Sequence, residues 1–261
     1  MALKVTSDVH GEFDAVAAQL DPADTLLLCG DYVELIDYGT LDGILAELIP
    51  KERIAHTLQA IRDGRMDEAR AAIGEIFVTN PKLREGVAAL VRRDYRRFFA
   101  AIPCETYLIY GNIDHPKLLA EFLGPRHHLI EAGTVRIDGL TVGLVSGMPP
   151  TPYTFGLPGD VTEAEYARRL HSLGPVDVLV THAPPAIRDL TYDVVAERDE
   201  QGSVALLEYV ERFAPRRHYF GHVHQPIKDG LRHGETDLTN VGFHVRKGKV
   251  WVHPTGTAGE P

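Results

Sequence analysis

Short clusters of metal-ligating side chains recur along this chain: Asp8-Val9-His10, Gly30-Asp31, Gly111-Asn112, Thr181-His182 and Gly221-His222-Val223-His224. Together they offer carboxylates, one side-chain amide and several imidazoles, a hard-to-borderline donor set suited to Mn, Fe or Zn. His222 and His224 are spaced by two, so an extended segment puts both rings on one face. Hydrolysis at a pair of ions needs a bridging group to hold them about 3.5–4 Å apart, and a carboxylate with one oxygen for each ion does this. Each cluster alone has an ordinary reading. An isolated Asp-x-His is a loop, an isolated Gly-Asp a turn, and Asn112 after a glycine a left-handed turn residue. The chemistry is carried by the ordered set.

Each cluster follows a predicted strand, and the carboxyl ends of strands are where an open α/β sheet presents its binding crevice. Apolar β-rich runs predict strands over Leu3–Ser7, Thr25–Cys29, Thr106–Tyr110, Thr134–Ile137, Thr141–Ser146, Val176–Thr181 and His218–Phe220. A C-terminal pair follows over Gly242–Arg246 and Lys249–His253. Asp138-Gly139 is a type I′ hairpin signal, and Lys247-Gly248 reads as another tight turn. Early strands alternate with helical patterns, as crossover connections require, while the hairpins place antiparallel strands at the edges. Residues 34–100 read as a mostly helical insertion. Pro50 opens a helix with Ile54, Leu58 and Ile61 on one face, ended by Gly64. A second helix carries Met66, Ala69, Ile73, Ile76 and Phe77 up to Asn80-Pro81, and a third sets Val87, Leu90, Val91, Tyr95 and Phe98 opposite Arg92, Arg93, Arg96 and Arg97. No second copy at a fixed period makes this a solenoid. Such a segment would cap the crevice, supply a homo-oligomer contact or form a solvated outer layer. The small, polar tail Thr255–Pro261 is expected to fray.

Composition narrows the classes. At 261 residues, with 44% hydrophobic and 25% charged residues, the chain has the makings of a soluble globular protein with a substantial core. A formal net charge of −10 argues against a broad nucleic-acid surface. It leaves room for a small nucleotide, because bound divalent ions would invert the local potential. No apolar run approaches the roughly 18 residues of a membrane span. Residue 1 reads as leading directly into a strand, with no signal peptide expected, and two cysteines, Cys29 and Cys104, read as buried free thiols. A cytoplasmic location fits both features.

The order D-x-H, G-D, G-N, H, G-H-x-H resembles the calcineurin-like metallophosphoesterases, from Leu3 to Pro254 apart from the helical segment. Gly11, Pro184-Pro185, Gly202-Ser203 and the run from Tyr95-Arg96-Arg97-Phe98-Phe99 into Tyr107–Gly111 match as well. The resemblance implies one α/β domain over residues 1–261, a four-layer α/β/β/α sandwich of two mixed sheets with outer helices and an insertion at 34–100. It implies two divalent or mixed-valence transition-metal ions, with Mn first and Fe, Zn, Ni or Co as alternatives. Asp31 takes the bridging position, Asp8, His10 and His224 complete one side, and Asn112, His182 and His222 the other. The implied activity is hydrolysis of a small phosphodiester or nucleotide by attack of a metal-bridging hydroxide.

One departure bears on mechanism. Many relatives read Gly-Asn-His-Asp/Glu, whose histidine protonates or stabilises the leaving group, whereas this chain reads Gly111-Asn112-Ile113-Asp114-His115. Ile113 cannot donate a proton. Candidate catalytic residues are therefore Asp31, Asn112, Asp114 and His115. Either His115 stands in, although a one-residue shift reverses its face on an extended segment, or Asp114 orients a water or His115, or the enzyme uses no acid and favours good leaving groups. Tyr32, Tyr153 and Phe155 are candidate crevice residues, with Tyr153 or Phe155 stacking on a base or sealing the rim. His127, His128, His171, His218, His233, His244 and His253 have no motif partner. The competing reading from another class is a non-catalytic scaffold of the same fold used for protein contacts. The complete ligand set weighs against it. A nuclease is disfavoured by charge, and a protein phosphatase by the lack of that family's arginine-bearing Gly-Asn-His-Glu segment.

Overall fold

The computed structural model describes residues 1–242 and 248–254. Two mixed sheets form its centre. The first has the order β13-β1-β2-β3-β4, from β1 (Leu3–Thr6), β2 (Thr25–Leu28), β3 (Glu105–Leu108), β4 (His127–Leu129) and β13 (Trp251–Val252). Only β13 runs antiparallel to its neighbour. The second has the order β11-β12-β10-β7-β6-β5, from β5 (Ala132–Ile137), β6 (Leu140–Val145), β7 (Val178–Thr181), β10 (Arg217–Phe220), β11 (Gly230–His233) and β12 (Thr236–Asn240). Its inner pairs are parallel and both edge pairs antiparallel. The short strands β8 (Tyr192–Asp193) and β9 (Arg198–Asp199) form a separate hairpin. Asp138 and Gly139, joining β5 to β6, have φ of 49° and 84°, the signs a type I′ turn requires.

Period-two alternation explains the layering. Leu3, Val5 and Leu27 point from the first sheet into a shared apolar layer with Val142, Leu144, Val178, Val180 and Tyr219 of the second. The intervening Leu26, Leu28 and Leu108 face outward, onto α1 (Phe13–Ala17) and the later α4 (Pro81–Ala101). Leu179 and Phe220 face the other way, onto α6 (Glu163–His171) and α8 (Val204–Phe213). Helices therefore cover the outside of each sheet, giving four layers. Single helical turns, α5 (Pro116–Leu119) and α7 (Arg188–Thr191), complete the helices together with α2 (Lys51–Arg62) and α3 (Met66–Gly74).

Within residues 34–100, α4 is the part that builds the core. Asn80 caps it by accepting from Leu83 N, Pro81 sits in its first turn, and Val87, Val91, Tyr95, Phe98 and Phe99 are buried. Ile54 of α2 and Ile76, in the turn after α3, pack on the same cluster. The arginines on the opposite face are engaged: Arg92 with Glu121, Arg93 with Glu47, Arg97 with Asp14, and Arg96 over the Phe122 ring. The predicted strand over Gly242–Arg246 and the Lys247-Gly248 turn fall largely on 243–247, outside the described residues, as does the tail from residue 255.

Candidate metal centre

Local backbone geometry gathers the ligand clusters at the carboxyl ends of β1, β2, β3, β7 and β10. Asp8 N donates to Gly30 O at 3.0 Å, His10 N to Asp31 O at 3.3 Å and Gly221 N to His182 O at 3.1 Å, so successive strand-end loops are laced together. Asp8, His10, Asp31 and His222 all adopt positive φ, between 43° and 71°. Residues other than glycine pay a conformational cost there, and such outliers concentrate at functional sites. Two glycines allow the close approach. A Cβ on Gly111 would collide with the Asp31 carboxylate, and one on Gly221 with that of Asp8.

All seven predicted ligands come together. On one side, His10 Nε2 lies 3.0 Å from His224 Nε2, which is 3.1 Å from Asp8 Oδ1. On the other, Asn112 Oδ1 lies 3.0 Å from His182 Nε2 and 3.1 Å from His222 Nδ1, while Asp31 Oδ2 is 3.3 Å from His182 Nε2. Donor atoms of Asp8, His10 and His224 lie within 4.8 Å of one another, and so do those of Asp8, Asp31 and His182. Asp8 thus belongs to both groups.

Electrostatics show which charge this cluster favours. His182 Nδ1 must donate to the Cys29 carbonyl, 3.0 Å away, because a carbonyl only accepts. That fixes the ring and turns Nε2 towards two further acceptors, Asn112 Oδ1 and Asp31 Oδ2. Burial alone would lower the His182 pKa, but the Asp31 charge outweighs it and raises the value to about 9. His10 likewise rises to about 9, against burial, through Asp8 and then Glu34. Burial would raise the Asp8 pKa, yet hydrogen bonds from His10 and His224 hold it well below the usual carboxylate range. His222 goes the other way: burial, then the neighbouring His182, lowers it to about 3. Its Nε2 is buried without a hydrogen-bond partner among the described residues. Both upward shifts show that the acceptors gathered here favour positive charge, which a bound cation would supply. The donor set and its convergence fit divalent ions of the Mn, Fe or Zn type.

The two remaining candidates sit elsewhere. The buried Asp114 carboxylate accepts from Asp31 N (2.7 Å), Gly111 N (2.9 Å), Tyr32 N (3.2 Å) and the Tyr95 hydroxyl (3.0 Å). Burial, then the Asp31 charge, raises its pKa to about 6. With those donors engaged it clamps two ligand loops together, and no hydrogen bond joins it to the His115 side chain among the described residues. His115 N donates to the Tyr95 hydroxyl, and its charged neighbours are Arg92, Lys117 and Glu121, on the outer helices. Ile113 packs on the core beneath α4, and its N–H donates to Asp31 Oδ1 at 3.2 Å. Tyr32 is fully buried, its hydroxyl bonded to Ile109 O, so it seals the core and does not face the crevice. Sequence reading missed Glu34, whose Oε1 is 3.6 Å from His10 Nδ1. It also missed Asn240, which donates to Val223 O at 2.7 Å and so supports the loop of His222 and His224.

Comparison with known proteins bears on the fold and the family. No curated protein sequence matches the chain significantly. Solved structures do share its fold. One overlays with a TM-score of 0.61 at 13% identity, covering 97% of this chain and 98% of its own. The protein TT1561 of Thermus thermophilus gives 0.51 at 14% identity, over 96% and 97% of the two chains. A phosphopantetheinyl hydrolase from Mycobacterium tuberculosis gives 0.51 at 15% identity, over 100% and 98%. At these identities the likeness speaks for the fold. The sequence profile of the calcineurin-like phosphoesterases matches residues 1–226, the stretch that carries every candidate ligand described above, and this chain belongs to that family of metal-dependent phosphoester hydrolases.

Proposed function

We propose that the protein hydrolyses a small phosphodiester or nucleotide at a two-ion centre held by Asp8, His10, Asp31, Asn112, His182, His222 and His224, with Asp31 between the ions and Mn²⁺ as the leading candidate. The observation that carries this reading is the convergence of two donor groups on one crevice, Asp8 with His10 and His224, and Asp31 with His182 beside Asp8. Bound divalent ions supply Lewis acidity and lower the pKa of coordinated water. The chain itself fixes the ligands: Cys29 O orients His182, and Asp114 ties the Asp31 loop to the Gly111 loop. With Ile113 unable to donate, Asp114 engaged and His115 turned to the outer helices, the leaving group departs without a protonated side chain beside it. That favours diesters with acidic leaving groups over alkyl monoesters.

Residues 34–100 are read as an insertion whose last helix has become part of the core. No helix among the described residues is long and apolar enough to cross a membrane. Buried free thiols at Cys29 and Cys104 support a reducing, cytoplasmic setting. The direct test is a phosphoester panel with added Mn²⁺. Bis(4-nitrophenyl) phosphate should be hydrolysed faster than 4-nitrophenyl phosphate, and chelator should abolish both reactions. Failure of the Mn²⁺-loaded protein to turn over any diester contradicts the proposal.

A further inference from the structure

The mouth of this crevice carries a guanidinium whose amino groups are held in place for no partner within the described chain. Hairpin β8–β9 is tied to the segment just after His224: Val194 N donates to Gln225 O at 2.8 Å, and Asp193 bridges to Pro226. Arg198 lies on this hairpin. Its guanidinium carbon sits 4.0 Å from the centre of the Tyr153 ring, and its Nε donates to Glu200 Oε1 at 2.6 Å. Glu200 is itself buried. The Tyr153 loop reaches the metal set from the other side, where Gly159 packs so closely on the Gly111 and Asn112 backbone that no Cβ would fit. Arg198 is only 26% exposed. Among the described residues its Nη1 and Nη2 groups make no hydrogen bond.

Stacking on one ring and a bond through Nε fix the plane and rotation of the guanidinium. The two amino groups that remain form a rigid fork, matched to two oxygens of one anion. The fork is pre-organised, so little side-chain entropy is lost when the anion arrives. Tyr153 already has one face covered by Arg198, which makes it a support for the arginine before it is a platform for a base.

We infer that Arg198, braced by Tyr153 and Glu200, is a specificity-determining residue that receives a terminal phosphate carried on one arm of the substrate, away from the phosphoryl group at the metal-ligating set. The placement of the second phosphoryl group rests on the phosphoesterase reading above. Binding without turnover tests the inference. Metal-loaded protein is titrated calorimetrically with α,ω-alkanebisphosphonates of increasing chain length, each paired with the alkylmonophosphonate of equal length. Wild type should bind one bisphosphonate length on the order of 10-fold more tightly than its monophosphonate, as one added charge-assisted contact provides. Arg198→Ala should remove that advantage, Arg198→Lys should keep part of it, and Tyr153→Leu, which retains the guanidinium but removes the ring beneath it, should shrink it. The inference is overturned if no bisphosphonate outbinds its monophosphonate in wild type, or if the advantage persists in Arg198→Ala. Nitrophenolate release from bis(4-nitrophenyl) phosphate by the wild-type protein, measured separately, reports on the phosphoesterase reading alone.

Discussion

At the residue scale the account turns on Asp31 and on Ile113. Asp31 presents Oδ2 to His182 and Oδ1 to the Ile113 N–H, and in the proposed centre its carboxylate serves both ions. Asp31→Asn removes charge from both at once, so metal affinity should fall by more than the roughly 10–100-fold typical of losing a supporting partner. Diester hydrolysis should fall with it, and both losses should exceed those of His224→Ala. Parallel metal titrations and rate measurements on the two variants check this, and a milder loss in Asp31→Asn would count against the bridging role. Ile113 sets a second expectation. Rates across a series of aryl phosphodiesters should fall steeply as the leaving phenol becomes more basic, because no side chain protonates it. A shallow slope in wild type that His115→Ala steepens would make His115 the acid instead.

At the scale of elements, helix α4 is hydrogen-bonded to the site through the Tyr95 hydroxyl and packs on Tyr32 through Phe98 and Phe99. Tyr95, buried on that helix, donates to Asp114 and accepts from His115 N, and Asp114 holds the Asp31 and Gly111 loops. Tyr95→Phe leaves a buried carboxylate and a part-buried N–H each short of a partner. The expected cost is about 1–3 kcal/mol of stability, with weakened metal binding. Chemical denaturation beside metal titration would reveal it, and unchanged values in both would show that the Asp114 clamp stands without Tyr95. Strand-end positions of the ligands were legible in the sequence because apolar runs such as Leu26-Leu27-Leu28 stop at turn residues, and Asp138-Gly139 announced its hairpin. Other elements gave no such signal. Strand β12 is Thr-Asp-Leu-Thr-Asn, polar in composition yet buried at Thr236, Leu238 and Asn240, on the face whose Leu238 joins the apolar cluster of α8. Strands β8 and β9 are two residues each, too short for a period to register. Glu34 beside His10 and Arg198 over Tyr153 gain their meaning from neighbours distant in sequence, which no local pattern encodes.

At the scale of the whole molecule, two sheets bury a shared apolar layer and open their strand ends at one edge, where four imidazoles, two carboxylates and one amide converge. Such a cluster is costly without positive charge at its centre, since it sets buried carboxylates and ring nitrogens against one another in a low-dielectric site. The buried carboxylates raise His10 and His182 to about 9 against the effect of burial, which shows how strongly the cluster favours positive charge. The measurement closest to the central claim is therefore the metal content of protein purified without chelator, determined by elemental analysis and repeated after stripping and reloading with Mn²⁺. The account predicts about two ions per chain, as a bridged pair requires. A stoichiometry near zero that added Mn²⁺ does not restore would contradict it.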